Sequence, residues 1–236
     1  MTDRLKNKTI LGVERTTLAY NEGLRAYMLS VYNYMALGLG ITGAVALFVA
    51  SSPAVQHAIG PFMWLFILAP IFLVFFLSFK INTMKFSTAQ SVFWLYAAMN
   101  GVAFSILFLT YSLPSIARVF FITAGTFAAM SLYGYTTKKD LTAMGSFLFM
   151  GLIGLLIAMV VNIFMASSML EFIISIAGVL IFTGLTAYDT QSIKEAYTEG
   201  SSSEVAGKRA IFGALRLYLD FINLFVMLLR LFGDRR

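Results

Sequence analysis

The chain has 236 residues, 59% hydrophobic and 12% charged, with a formal net charge of +6. A soluble domain carries about 25% charged residues, so this composition excludes a water-soluble globule; the lack of cysteine excludes disulfides and Cys-ligated metals, and a single histidine, His57, excludes a His-cluster metal site. The basic excess falls in short clusters between apolar runs, the pattern of membrane-protein loops and not of a nucleic-acid-binding face.

The N-terminal stretch MTDRLKNKTILGVERTTLAYNEGLRAYM mixes acids with bases and lacks an apolar core after its first basic residues. It does not read as a signal peptide. Residues 1–24 are expected to form a cytoplasmic tail and 25–236 a transmembrane domain. A bilayer core of ~30 Å needs about 20 apolar residues at ~1.5 Å rise each. Seven runs meet this: 27–50, 61–79, 89–111, 116–134, 145–166, 170–193 and 211–232. The fold expected is therefore all-α and polytopic. Pro70 lies inside the second run and is expected to kink it.

Glycines recur in the runs, at Gly38, Gly40 and Gly43, at Gly151 and Gly154, and at Gly178 and Gly184. They read as close helix–helix contacts, where small residues let backbones approach. Tyr27, Trp64, Tyr111 and Tyr133 lie near run ends and read as interface anchors.

Loop charges alternate. Arg4, Lys6, Lys8, Arg15 and Arg25 precede the first run. Lys80 and Lys85 follow the second, Lys138 and Lys139 the fourth, and Lys194, Lys208 and Arg209 the sixth. The odd-numbered loops carry almost none, Arg118 excepted. The positive-inside rule then places the N-terminus in the cytoplasm. Seven full crossings would put the C-terminus outside, yet the tail LRLFGDRR is basic. A seventh segment that enters without fully crossing would resolve this, while seven transmembrane helices are the expected fold and the side of the C-terminus is left open.

A few charges fall within the runs, where each costs at least ~2.5–3.5 kcal/mol at a helix centre. Asp189 lies in the sixth run, and Arg216, Asp220 and Arg230 in the seventh. In the seventh run Arg216, Asp220, Asn223 and Arg230 share one helical face, which should turn away from lipid. Asp189 precedes Lys194 by about five residues, roughly 7 Å, and Asp220 follows Arg216 by about four, roughly 6 Å. The two aspartates thus sit at similar depth near the same side. Two facing carboxylates in a low-dielectric site cannot both ionise cheaply, and they titrate as a unit. They can exchange a proton for a hard cation such as calcium, which wants six to eight oxygens, so the pair would be a weak transit site for metal. Spacing alone leaves other pairings open: Arg216 with Asp220 one turn away, or Asp189 with Lys80 or Lys194. No nucleophile–base constellation suggests an enzyme, and nothing calls for a cofactor.

The stretches GLTAYDTQSIKEAY and LRLYLDFINLFVMLLRLFG resemble the signature of the Bax inhibitor-one family, also called the transmembrane Bax inhibitor motif or Lifeguard family. EGLRAYMLSVYNYMALGLGITG and FLSFKINTMKFSTAQ are similar to its bacterial members, and the likeness runs from about residue 22 onward. The resemblance implies six helices around a central C-terminal one, and a pH-sensitive calcium leak across a bacterial inner membrane. It implies that Asp189 and Asp220 form a proton-sensing pair. It places Lys80 where relatives carry an Arg latch on that pair. Lysine keeps the charge but lacks the bidentate fork. Two other readings stand beside the leak: a non-transporting regulator that binds other membrane proteins, such as a quality-control protease, and a proton-coupled transporter.

The charge alternation predicts that single cysteines introduced at positions 82, 139 and 200 react with an impermeant thiol reagent only from the cytoplasmic face. Labelling of position 139 from outside would overturn the orientation.

Overall fold

The computed structural model describes the backbone from Thr2 to Arg236 and side chains from Tyr20 onward. The tail charges Arg4, Lys6, Lys8 and Arg15 thus lie outside the described side chains. The elements, all helical, are α1 (Thr2–Ser51), α2 (Pro53–Ile59), a short 3-10 turn (Gly60–Phe62), α3 (Met63–Lys80), α4 (Phe86–Thr110), α5 (Leu113–Thr136), α6 (Thr142–Met165), α7 (Ser168–Glu195) and α8 (Ser203–Phe232). Among the described residues there is no strand, only an isolated bridge between Tyr111 and Arg235.

Seven spans are long and apolar enough to cross a bilayer: Tyr20–Ser51, Pro53–Lys80, then α4 to α8. Four of the expected runs lie within three residues of the observed ends. The first, second and seventh begin earlier. The boundary expected at 24/25 falls inside the continuous α1. The second crossing starts at Pro53, because α2 and the 3-10 turn lead directly into α3. Helix α3 remains helical through Pro70. Helix α8 gains a polar first turn, capped by the Ser202 hydroxyl accepting from Val205 N–H at 3.4 Å, with Glu204 near the positive helix end. That turn is polar, so the apolar run alone does not mark it.

Loops gather at two ends according to parity. At one end Lys208 Nζ donates to the carbonyls of Asn82 and Met84 at 3.3 and 3.2 Å, and Arg209 reaches the Ala196 carbonyl at 3.1 Å. The 137–141 loop lies at this end too, tied to α7 by Gln191. Here Asp140 accepts from Thr142 ahead of α6, and hydrogen bonds from the Thr142 hydroxyl and N–H hold its carboxyl below the usual range. At the other end the chain after α8 meets the α4–α5 connection: Ser112 N–H donates to Asp234 O at 3.1 Å, and Arg236 N–H to Thr110 O at 2.9 Å.

Helix α8 therefore runs the length of the bundle, in keeping with seven full spans, and a partial entry is not what the structure shows. Its 30 residues give roughly 45 Å of length, more than a ~30 Å hydrocarbon core requires. At that end an acid answers one base of the tail, and the tail's own acid answers Arg118. Arg235 pairs with Glu171 at 3.4 Å, and Arg118 with Asp234 at 3.0 Å.

Burial grades sharply across the spans. In α8, 61% of the apolar window is buried, against 6% in α6. Helix α8 packs chiefly on α7, α1, α5 and α4, while α3 leans on α4 and α6 on α7. The outward faces carry large apolar side chains such as Ile163 and Phe164, as hydrocarbon demands. Around α8 the interior holds Leu217, Tyr218, Leu224 and Leu229 with virtually no exposure. Tyr218 is fixed edge-on to Tyr96, and its hydroxyl bonds Thr42 Oγ1 at 2.7 Å. Thr42 in turn reaches the Ala97 carbonyl at 2.9 Å, which joins α1, α4 and α8.

Close contacts rest partly on the expected glycines. Gly38 abuts the Phe93 ring, Gly178 abuts Met227 and Gly184 abuts Leu148, whereas Gly40, Gly43 and Gly154 face open space. The tightest backbone approaches occur elsewhere. A Cβ on Gly101 would meet the Thr42 carbonyl, and one on Gly134 would collide with the Ala187 carbonyl. The α5–α7 contact thus depends on Gly134. Replacing Gly134 with Ala forces two backbones apart and should destabilise the protein by about 1–3 kcal/mol, read as a lowered unfolding midpoint in detergent. Gly154→Ala should cost nothing measurable.

Candidate functional site

Helix α7 is apolar to its last turns and then places Tyr188, Asp189, Thr190, Gln191 and Ser192 in succession. Asp189, Thr190 and Gln191 are buried. In a membrane protein such groups need partners, and each finds its own. Thr190 Oγ1 donates to the Thr186 carbonyl at 2.8 Å and meets Ser131 Oγ of α5 at 3.0 Å, which also bonds the Tyr32 hydroxyl of α1. Gln191 is engaged twice by the 137–141 loop. Its Oε1 accepts from Leu141 N–H, and its Nε2 donates to the Lys139 carbonyl, both at 2.8 Å. Lys194 Nζ donates to the Tyr135 carbonyl at 2.8 Å and lies over that residue's ring.

Asp189 points toward α8. Arg216 grips it with two nitrogens: Nε donates to Oδ2 at 3.1 Å, and Nη2 donates to Oδ1. The third nitrogen, Nη1, reaches Ser192 Oγ at 3.1 Å. This is the fork geometry that only arginine offers a carboxylate. The Tyr188 ring lies 5.9 Å from the guanidinium carbon. That ring is pressed across Gly145 of α6, where a Cβ would collide with it. Arg216 is therefore held by a carboxylate, a hydroxyl and an aromatic face.

Asp220 lies one turn deeper on α8. Its carboxyl neighbours that of Asp189. It is almost wholly buried, and its Oδ2 has no hydrogen-bond partner among the described residues. The arrangement is two adjacent carboxyls with one base, and that base is committed to Asp189. Among the described residues no group of three or more His, Asp or Glu side chains gathers, so the pair is an isolated oxygen-rich point.

A cavity of about 620 Å³ opens beside it at the end of the bundle carrying the 81–85 and 196–202 loops. Tyr27, Asn82, Glu195, Lys208, Arg209 and Arg216 line it. Arg216 thus has the buried aspartates on one side and this cavity on the other.

Other expected site residues take different places. Lys80 is exposed at the end of α3 and forms no ion pair among the described residues. The main contacts of α3 are with α4, while its C-terminal end, at Ser78, Ile81 and Asn82, lines the cavity that Arg216 also lines. Arg230 is exposed near the opposite end, about ten residues and roughly 15 Å along α8 from Asp220. The shared helical face does not extend that far through the interior. Asn223 is half-buried and donates one amide N–H to its own helix at Leu219 O, 2.8 Å. Of the pairings that spacing allowed, the one found, Arg216 with Asp189, crosses between helices and was not among them. Thr190 and Gln191 were missed as well. Their signal was available: three consecutive polar side chains at the end of an apolar run.

The fold and site define a polytopic helical membrane protein with a buried ionisable cluster where its last two spans meet. The family described as "Inhibitor of apoptosis-promoting Bax1" matches residues 24–236, and the chain belongs to this Bax inhibitor-1 family. It is 46% identical over 238 residues to the uncharacterized protein RP147 of Rickettsia prowazekii, covering all of both chains. It is 45% identical over 219 residues to the inner membrane protein YbhL of Escherichia coli, covering 91% of this chain and 94% of the relative. A Caulobacter vibrioides protein is 42% identical over 235 residues, covering 94% of each.

Removing one partner of a buried ion pair strands the other. Arg216→Met should cost about 3–5 kcal/mol, seen as a large fall in detergent unfolding midpoint. The double change Arg216→Met with Asp189→Leu should recover most of that loss. A double variant as unstable as the single one would mean that Arg216 acts through packing alone.

Proposed function

We propose that the protein is a pH-sensitive calcium leak channel of a bacterial inner membrane, with its N-terminus in the cytoplasm. In this reading Asp189 and Asp220 are the titrating pair and Arg216 is the internal cation that holds the path closed. The observation that carries it is the imbalance at the site: two neighbouring buried carboxyls and one guanidinium bound to Asp189 alone. Such a site exchanges one positive charge for another, whether guanidinium, proton or divalent cation. Calcium prefers six to eight oxygens, so it would pass the pair as cargo and not reside there. Protonation of Asp189 removes the charge that Arg216 grips. The side chain can then swing into the cavity it already lines, which uncovers Asp220. The leak should therefore rise as pH falls through the range in which the pair titrates.

Calcium entry into liposomes containing the purified protein tests this directly. Arg216→Gln should raise the leak at neutral pH several-fold and Lys80→Ala should leave it unchanged. Asp189→Asn or Asp220→Asn should flatten the pH dependence, with the double change adding little beyond the worse single one. Strict additivity would indicate two independent sites. No calcium entry with the folded wild-type protein at any pH would favour a non-transporting regulator of other membrane proteins. Proton movement without calcium would favour a transporter.

A further inference from the structure

Helices α1 and α5 lie side by side with little backbone contact, joined by the Tyr32–Ser131 bond, and both rest on α8 while packing chiefly on α4 and α7 respectively. The gap between them is a cleft of about 740 Å³ with Phe221 of α8 at its floor. We propose that this cleft is a binding site for one anionic phospholipid, its phosphate at Arg25 and an acyl chain laid along α1 and α5.

Both walls belong to membrane-spanning segments, so the cleft opens sideways into the bilayer. Its length along α1, from Arg25 to Ala36, is eleven residues, or roughly 17 Å. This is about half of a ~30 Å hydrocarbon core, the depth of one leaflet. Met28, Met35, Ala128 and Phe127 give an apolar wall. The two polar residues midway, Tyr32 and Ser131, bond one another, and Ser131 bonds Thr190. Their polar atoms are thus answered within the protein, and the wall is fit to meet hydrocarbon.

The headgroup end is marked by charge. Arg25 lines the cleft mouth, is exposed, and forms no ion pair or hydrogen bond among the described residues. Tyr135 lines the same mouth, and its carbonyl is already taken by Lys194. A basic side chain at the edge of a pocket between spans is the arrangement that attracts anionic headgroups. Beyond Phe221 the seam between α1 and α5 continues as a smaller cavity of about 300 Å³, lined by Leu39, Gly43, Ala117, Phe120 and Phe225. No charged residue lines that part. The lipid is therefore oriented, with its headgroup at the end carrying the 137–141 loop.

Native mass spectrometry of the full chain in detergent, titrated with phosphatidylglycerol or phosphatidylcholine of identical acyl chains, tests the proposal. The wild type should retain one lipid per chain, with phosphatidylglycerol bound about fivefold more tightly, as one arginine near an anionic headgroup supplies. Arg25→Gln should abolish that preference while keeping the acyl-dependent adduct. Ala128→Trp should fill the cleft and remove both adducts, with Ala128→Leu as a milder version should the tryptophan variant fail to fold. Ile163→Trp, on the outward face of α6, should behave as wild type. Equal retention of the two lipids by the wild type, or undiminished adducts in the Ala128 variants, would overturn the proposal. So would a dimer that dissociates on changing Ala128, because the cleft would then be an interface between copies. None of these readouts depends on calcium conduction.

Discussion

A carboxylate within the span of a membrane protein must be answered by a charge or a proton close at hand. Here that constraint is met between α7 and α8. The guanidinium of Arg216 satisfies both oxygens of Asp189 and spends its remaining nitrogen on Ser192. Because the fork is planar and pre-organised, it fixes the rotation of α8 against α7 as well as their distance. Asp220, one turn further along, is thereby brought to the side of Asp189 without a base of its own. The chemistry of the site follows from how a single arginine is divided.

The rest of the α7 terminus keeps that arrangement in place. Thr190 ties α7 to α5 through Ser131, and Gln191 closes the 137–141 loop over the end of the helix. Gly134 lets the α5 backbone come against Ala187, two residues before Asp189. Tyr188 is pinned by Gly145 and offers its ring to Arg216. Each successive residue of Tyr188-Asp189-Thr190-Gln191 thus addresses a different neighbour, as the 100° advance per residue along a helix requires. A run of polar side chains that would be costly in hydrocarbon becomes a four-way junction.

Helix α8 is where the spans meet, and its two ends are anchored differently. Lys208 and Arg209 secure the start to loop carbonyls. The tail past Phe232 is secured by backbone bonds to residues 110 and 112 and by ion pairs to Arg118 and Glu171. An α8 held at both ends can support α1 and α5 on opposite sides of Phe221 with little backbone contact between those two helices. The cleft between them is a consequence of that support.

Much of the architecture was legible in the sequence. Seven apolar runs, the alternation of loop charge and the similar depth of Asp189 and Asp220 follow from hydropathy and a rise of about 1.5 Å per residue, which are local properties. Helix starts at Pro53 and Ser203 were not legible, since polar or short helical turns leave no hydropathy signal. The partner of Asp189 was not legible either. Spacing along one helix pointed from Arg216 to Asp220, whereas long side chains choose partners across helices according to how those helices are rotated. Arg230 shared a helical face with Asp220 on paper, but lies too far along the axis to share its surroundings. The sequence by itself determined which segments enter the membrane and which charges had to be compensated there. Only the tertiary structure decided which charge compensates which, because that depends on helix rotation and on close approaches, such as Gly134 on Ala187, that no periodicity encodes.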